Sequence, residues 1–430
     1  MLPLTARSNT AHHLEIGGCD VTELAREFGT PLYVFDDEHL RARAREINQT
    51  VHARWQNSLV LYATKAYFSP YLARIYLDAG LGLDVTSEGE LAIARRLDFP
   101  RERIYLHGNN KTPAELRAAL AMGVEHVIVD NLDEIELLSR IAAELHCTPR
   151  VLLRLAPAID PHTHRYLATG IAESKFGLPL ANGDALKAAG LVKRHTDHLS
   201  FAGLHVHIGS QIFETEPYRD AIAAVLDFAQ KLNDEMGLEL QELDMGGGWG
   251  VPYTDDQSTL SIETVIDSIV SVLSQRSLPR PPRLLFEPGR ALIAQSAVVL
   301  YTVGAVKEIP GVRTYVSVDG GMGDNVRPAL YGAKYTARLA NRMDEAPTQR
   351  VAIAGRYCEQ GDILIDEVTL PRAQAGDLIA IPCAGAYQIP MASNYNLIPR
   401  PAVIAVREGE PRVIRRRETI DDMLRCELDG

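Results

Sequence analysis

Between residues 59 and 287 one unit keeps returning: a short apolar run, a polar or charged residue at its end, then a stretch with helical spacing. Lys65 lies just past Leu59-Val60-Leu61-Tyr62-Ala63. Asp84 follows Leu81-Gly82-Leu83, His107 follows Arg103-Ile104-Tyr105-Leu106, and Asp130 follows Val127-Ile128-Val129. Arg154 sits inside the run 151–155 and His207 ends Leu204-His205-Val206. Asp244 and three glycines end the run 238–243, and Glu287 ends Leu284-Leu285-Phe286. Helical spacing occupies 70–79, 87–97, 113–122, 131–146 and 217–236. Pro70 and Pro113 suit a first helical turn, where the missing N–H costs nothing, and Ser87 precedes Glu90 at the spacing of a capping box. Strands that alternate with helices run parallel, because parallel neighbours need crossovers. Eight such units predict an α/β fold, a (β/α)8 TIM-type barrel over residues 36–290. A barrel of this kind builds its site at the C-terminal ends of its strands, which is where the polar residues fall.

The flanking sequence has a different texture. Residues 21–28 have helical spacing with Thr22 as the expected N-cap, Gly29-Thr30-Pro31 ends that helix, and Leu32-Tyr33-Val34-Phe35 reads as a strand. After residue 290, β-branched runs at 297–306, 315–318, 350–354, 378–381 and 402–407 alternate with Gly and Pro turns. Residues 1–35 plus 291–430 are therefore expected to form a second, mainly antiparallel β-barrel-like domain. A net charge of −12, with Arg415-Arg416-Arg417 followed at once by Glu418, disfavours a nucleic-acid or anionic-membrane binder. Five scattered cysteines without a CxxC pair point to a reducing compartment. With no charged leader before an apolar run and no apolar stretch of about 18 residues, a cytoplasmic protein is expected.

Four features carry chemistry. Lys65 offers an amine at a strand end. Gly246-Gly247-Gly248 reads either as a tight barrel turn or as a phosphate cradle, since glycines let backbone N–H groups close on an anion. Glu287-Pro288-Gly289-Arg290 places a carboxylate beside a guanidinium; the two either pair with each other or serve a ring nitrogen and a carboxylate separately. His207, before the polar turn Ile208-Gly209-Ser210-Gln211, supplies a flat ring. Amine, phosphate cradle, acidic partner and flat ring together describe a site for pyridoxal 5'-phosphate, with the lysine forming a Schiff base.

These segments resemble the barrel-type pyridoxal phosphate decarboxylases, and among them most closely the diaminopimelate decarboxylases. The matching runs are Tyr62-Ala63-Thr64-Lys65-Ala66, His107-Gly108-Asn109-Asn110-Lys111, Asp160-Pro161-His162-Thr163-His164, Thr169-Gly170, Ser174-Lys175-Phe176-Gly177 and the segment from His205 to Gln211. The glycine triplet, the Glu287–Arg290 turn, Arg327-Pro328-Ala329-Leu330-Tyr331, Cys358-Glu359, Gly385-Ala386-Tyr387 and Ser393-Asn394-Tyr395-Asn396 continue the series. Each is short; their order along nearly the whole chain makes them specific together.

The resemblance implies a role for each matching residue. Lys65 holds the cofactor, and His207 stacks on its ring. Ser210, the Gly247-Gly248 backbone and the turn from Glu287 through Gly289 to Arg290 take the phosphate. Glu287 also faces the pyridine nitrogen, Asp84 counts among the cofactor-binding positions, and Tyr387 touches cofactor and substrate. Arg290, Arg327 and Tyr331 hold the distal carboxylate of the substrate, and Glu359 its distal ammonium. Cys358 protonates the carbanion left by CO2. It reaches the site, with Glu359, from the neighbouring subunit, so the implied active unit is a homodimer with shared sites. The implied reaction is the decarboxylation of meso-2,6-diaminopimelate to L-lysine, the last step of lysine biosynthesis. A carboxylate at Glu287, in place of the arginine of related barrel racemases, keeps the ring a strong electron sink and favours loss of CO2.

Other readings stand beside these. Arg327 could pair with Asp324 at the surface, and Cys358 could be an inert buried thiol. Asp160, His162 and His164 suggest a loop and not a metal site, so no metal is expected. Tyr67, Glu88, Gln360, Lys334 and Tyr335 depart from the family pattern. They leave room for a relative acting on an ornithine-, lysine- or arginine-like amino acid in specialised metabolism.

Overall fold

The computed structural model describes residues 1–159, 174–276 and 278–428. The Asp160–His164 and Thr169-Gly170 matches lie outside the described residues. The chain divides into two compact units, 44–250 with 258–292, and 1–43 with 251–257 and 293–430.

The first unit is the expected parallel barrel. Its strands are β1 (Ser58–Ala63), β2 (Gly82–Val85), β3 (Ile104–Leu106), β4 (His126–Val129), β5 (Arg150–Ala156), β6 (Ser200–Val206), β7 (Glu242–Asp244) and β8 (Arg283–Phe286). Each pairs in parallel with the next, and β8 pairs with β1, so the sheet closes. Leu59, Leu61, Tyr105, Ile128, Leu152, Ala202 and Leu285 pack together as one buried cluster. Leu59 and Leu61 enter it from one strand because residues two apart share a face. This apolar layer fills the barrel, so the strand ends are left to carry polar groups.

The helices begin where the sequence supplies caps. Ser69 Oγ accepts from Leu72 N ahead of Pro70, and Thr112 and Glu115 form a reciprocal capping box ahead of Pro113. At Glu88–Arg96 the box is incomplete: Ser87 accepts from Glu90 N, but the Glu90 carboxylate reaches back one residue further, to Thr86 N. The helix Val21–Phe28, in the other unit, is capped by Asp20 and not by Thr22. The Asp20 carboxylate accepts from both Thr22 N (2.8 Å) and the Thr22 hydroxyl (2.7 Å), so the threonine is a donor to the cap.

The second unit is a mostly antiparallel sheet. From one edge its strands run Ile363–Leu370, Gln349–Ala354, Arg313–Val318, Ala297–Ile309, Leu32–Asp36, Ala402–Arg407 and Glu410–Arg415, with Leu378–Pro382 also on Ala297–Ile309. The pairings of Arg313–Val318 with Gln349–Ala354 and of Leu32–Asp36 with Ala402–Arg407 are parallel. Leu32, Val34, Val298, Leu300, Ala380 and Ile404 share one core at alternate positions along their strands. Among the described residues no helix is long and apolar enough to cross a membrane.

Candidate active site

The C-terminal ends of the barrel strands converge on Glu287, just after β8. His107, after β3, brings Nε2 to 2.8 Å from Glu287 Oε1. His205, in β6, brings Nε2 to 3.2 Å from Oε2. Asp244 ends β7, and the ligating atoms of these four buried residues lie within 4.8 Å of one another. Burial alone would raise Glu287, but the two imidazoles hold its carboxyl well below the usual range. Burial and the neighbouring Glu287 charge push Asp244 well above it. Burial takes His205 down to about 4. Burial and its neighbours thus favour the charged form of Glu287 and the neutral forms of Asp244 and His205.

Lys65 lies in the 3-10 turn Thr64–Ala66 that follows β1, its side chain 45% exposed and its Nζ 3.6 Å from Asp84 Oδ2. Asp84 is buried in β2 and also lies 3.7 Å from His107 Nε2. His207 follows β6 and is half-buried. Desolvation, then the charges of Lys65 and Arg154, hold it well below its ordinary pKa. Its Nδ1 accepts from Gly247 N at 3.2 Å, so the neutral ring carries its proton on Nε2 and keeps a fixed orientation. Arg290, buried, donates to Ser210 Oγ at 3.1 Å. Arg154 lies over the Phe176 ring, 4.5 Å from its centroid, and 3.7 Å from Asp130 Oδ1.

The glycine triplet is where a side chain has no room. A Cβ on Gly247 would stand 2.2 Å from Glu287 O, and one on Gly248 would stand 2.3 Å from Gly209 O, with φ at +94°. The turn is thus made of bare backbone, the kind whose N–H groups an anion can approach. These residues fit pyridoxal phosphate: an accessible amine, an ionised buried carboxylate, a neutral flat ring, and glycine backbone beside Ser210 and Arg290. The barrel site thus gathers Lys65, Asp84, His207, Ser210, Gly247, Gly248, Glu287, Gly289 and Arg290 within one unit.

The remaining expected residues lie in the β unit. Arg327 begins the short helix Arg327–Tyr331 and is 3% exposed, so it is no surface residue. Asp324 is not its partner, since that carboxylate accepts from Gly321 N. Instead Arg327 Nη1 donates to Tyr335 Oη at 2.6 Å, and the guanidinium carbon lies 5.1 Å from the centre of the Tyr253 ring. Burial works against the charge, but Tyr335 and Tyr253 outweigh it and raise the pKa of Arg327. Among the described residues no carboxylate pairs with Arg327, and its buried Nε has no acceptor. Tyr331 and Tyr387 are half-buried in this unit.

Cys358 and Glu359 are exposed, so Cys358 is not a buried thiol. Their loop is nevertheless held firmly. Cys358 N donates to Asn396 Oδ1 (2.9 Å), Tyr357 N donates to Asp362 Oδ2 (2.7 Å), and the Tyr357 ring stacks on Tyr395. Sequence reasoning missed His205, Asp244, Tyr253 and Gln388 as members of these clusters and took Tyr335 only as a departure from pattern. His205 did carry a signal: it lies in a strand-like run two residues before His207, the spacing that puts side chains of an extended chain on one face.

The comparisons agree with this geometry. Residues 38–294 match the family model described as "Pyridoxal-dependent decarboxylase, pyridoxal binding domain". The chain is 43% identical to the diaminopimelate decarboxylase of Bacillus subtilis over 427 residues, 99% of this chain and 97% of the relative. It is 41% identical to that of Synechocystis over 438 residues, 99% and 92% of the two chains. Among solved structures, diaminopimelate decarboxylase from M. jannaschii in complex with L-lysine matches with a TM-score of 0.91 at 32% identity, covering 100% and 99% of the two chains. The lysine/ornithine decarboxylase of Vibrio vulnificus bound to cadaverine matches less well, with a TM-score of 0.76 at 25% identity, covering 90% and 96%. The chain belongs to the diaminopimelate decarboxylase family of pyridoxal-dependent decarboxylases.

Proposed function

We propose that this protein decarboxylates meso-2,6-diaminopimelate to L-lysine and CO2 with pyridoxal 5'-phosphate on Lys65. The observation that carries the reading is the Glu287 carboxylate, buried between His107 and His205, which hold it well below its usual range. When bound, the cofactor supplies an electron sink for the pair left behind by CO2. Glu287 keeps the ring nitrogen protonated and so maintains that sink. Neutral His207 packs on the ring face, its orientation set by Gly247 N. The Gly247-Gly248 backbone, Ser210, and the turn through Gly289 to Arg290 receive the phosphate, while Asp84 stands beside the Lys65 amine.

Arg327, with Tyr331 and Arg290, takes the distal carboxylate, and Tyr387 contacts cofactor and substrate. A buried arginine without a carboxylate partner among the described residues is suited to a substrate anion. That feature favours diaminopimelate over ornithine, which has no carboxylate at its far end. In this reading Cys358 and Glu359 serve the site of a second copy, in a homodimer. Cys358 would hold the proton that takes the place of the lost carboxylate, and Glu359 would hold the distal ammonium. The exposure of both residues in the single chain supports this. Five free cysteines fit residence in a reducing cytoplasm.

The test is direct. The purified protein with cofactor is given meso-diaminopimelate, with ornithine, lysine and arginine in parallel, and CO2 and L-lysine are assayed. Turnover of diaminopimelate, together with a visible cofactor band that Lys65→Ala abolishes, is expected. A band without turnover of diaminopimelate overturns the substrate; no band at all overturns the role of Lys65.

A further inference from the structure

The Arg327 guanidinium is not simply buried; it is tied along one edge. Its Nη1 donates to Tyr335 Oη at 2.6 Å. The same oxygen receives a second hydrogen bond, from Gln388 Nε2 at 3.1 Å. Gln388, fully buried, is itself held by the Tyr33 hydroxyl, which donates to its Oε1 at 3.2 Å and lies 3.0 Å from Asp324 O. The Tyr253 and Tyr335 rings meet at 87° with centroids 5.2 Å apart, and make two walls around the guanidinium. Tyr33, Gln388, Tyr335 and Arg327 are all under 5% exposed.

A guanidinium grips a carboxylate as a fork, with two parallel N–H donors on one edge. Tyr335 takes one hydrogen of Nη1, and the buried Nε has no acceptor. The direction of the remaining guanidinium donors is therefore set by that tie. Loss of the tie frees the terminal torsions of the arginine and weakens the fork without touching the rest of the site.

We propose that Tyr335 is a positioning residue for substrate selectivity: by fixing Nη1 of Arg327 it aims the remaining guanidinium donors at the distal carboxylate, and so separates an amino acid carrying that group from the corresponding diamine. The proposal rests on the reading of Arg327 given above. L-lysine, the product, keeps the distal carboxylate; cadaverine lacks it. The pair therefore isolates the interaction.

The experiment measures binding of L-lysine and of cadaverine to the holoenzyme by calorimetry, in wild type and in Tyr335→Phe, alongside steady-state kinetics with meso-diaminopimelate. Wild type prefers L-lysine by at least about tenfold. Tyr335→Phe loses about tenfold in L-lysine affinity, the scale of one hydrogen bond to a charged group. Its cadaverine affinity stays within about twofold and its kcat within about threefold, while KM for diaminopimelate rises about tenfold. A preference that survives in Tyr335→Phe, or an equal loss for both ligands, overturns the role of Tyr335. A wild type with no preference overturns the reading of Arg327 itself. If Tyr335→Phe does not fold, Tyr335→Met, which keeps the bulk and removes the acceptor, is subject to the same outcomes.

Discussion

At Glu287 the protein holds a negative charge where burial alone would remove it. The charge persists because His107 and His205 approach it from two strands, and because Asp244 beside it takes up a proton instead. This is the arrangement a protonated ring nitrogen requires: a buried carboxylate kept ionised by the groups around it. Glu287→Gln should therefore retain the cofactor band while kcat falls by roughly 10²-fold, the scale of removing one well-placed electrostatic group. A kcat within about threefold of wild type would sink the ring-nitrogen role. Lys65, Glu287 and Arg290 were legible in sequence because each stands at the end of an apolar run, in a short recognisable string. His205 and Asp244 were not assigned, because their partnership depends on register. They face each other as Cα partners between β6 and β7, and the run of residues gives no account of that pairing. Tyr335 was hidden in a different way: its role follows from where Arg327 Nη1 points, which no spacing rule supplies.

The barrel strands carry polar groups at both ends, and the two ends do different work. Opposite the site, Glu242 at the start of β7 receives Tyr105 Oη (3.0 Å) and contacts His126 Nε2 (3.2 Å) and Arg150 Nη2 (3.0 Å). Burial would raise Glu242, but His126, Arg150 and Tyr105 together lower it. A carboxylate depressed below its unfolded pKa adds stability that is present above about pH 4.3 and lost as pH falls through the folded value. Glu242→Gln should therefore cost about 2 kcal/mol in urea unfolding at neutral pH, less than a fully buried pair because Arg150 is partly exposed. The gap should narrow as pH falls below about 4.3 and close as it passes the lower folded value, with kcat little changed at neutral pH. A gap independent of pH would assign the loss to packing instead. Most elements were legible for reasons of period and capping. The strand Ile363–Leu370 was not, because Asp366-Glu367 interrupts its apolar run at two exposed positions. Glu410–Arg415 escaped for the same reason, being a charged edge strand, the composition that discourages further pairing.

At the scale of the whole molecule, the residues proposed for the chemistry come from both compact units. Lys65 stands at the barrel end, whereas Cys358 and Glu359 are exposed on a loop held by Asp362, Asn396 and Tyr395. An exposed thiol on a loop held by several hydrogen bonds suits the proposed delivery to a partner related by two-fold symmetry. Shared sites make a quantitative demand. Take Lys65→Ala and Cys358→Ala, each inactive, mix them in equal amounts and let the subunits exchange. About half of the dimers then contain one chain of each kind. If Cys358 acts across the interface, each mixed dimer has one site with both lesions and one with neither. About one quarter of all sites is then intact, and activity should recover to about one quarter of wild type. If both residues act in the site of their own chain, every site keeps one lesion and activity stays near zero. The separate variants, exchanged only with themselves, set the baseline, and size measurement of the mixture confirms that dimers formed. Recovery well below a tenth of wild type in an exchanged mixture would rule out the shared site, and Cys358 would then have to act within its own chain or not at all.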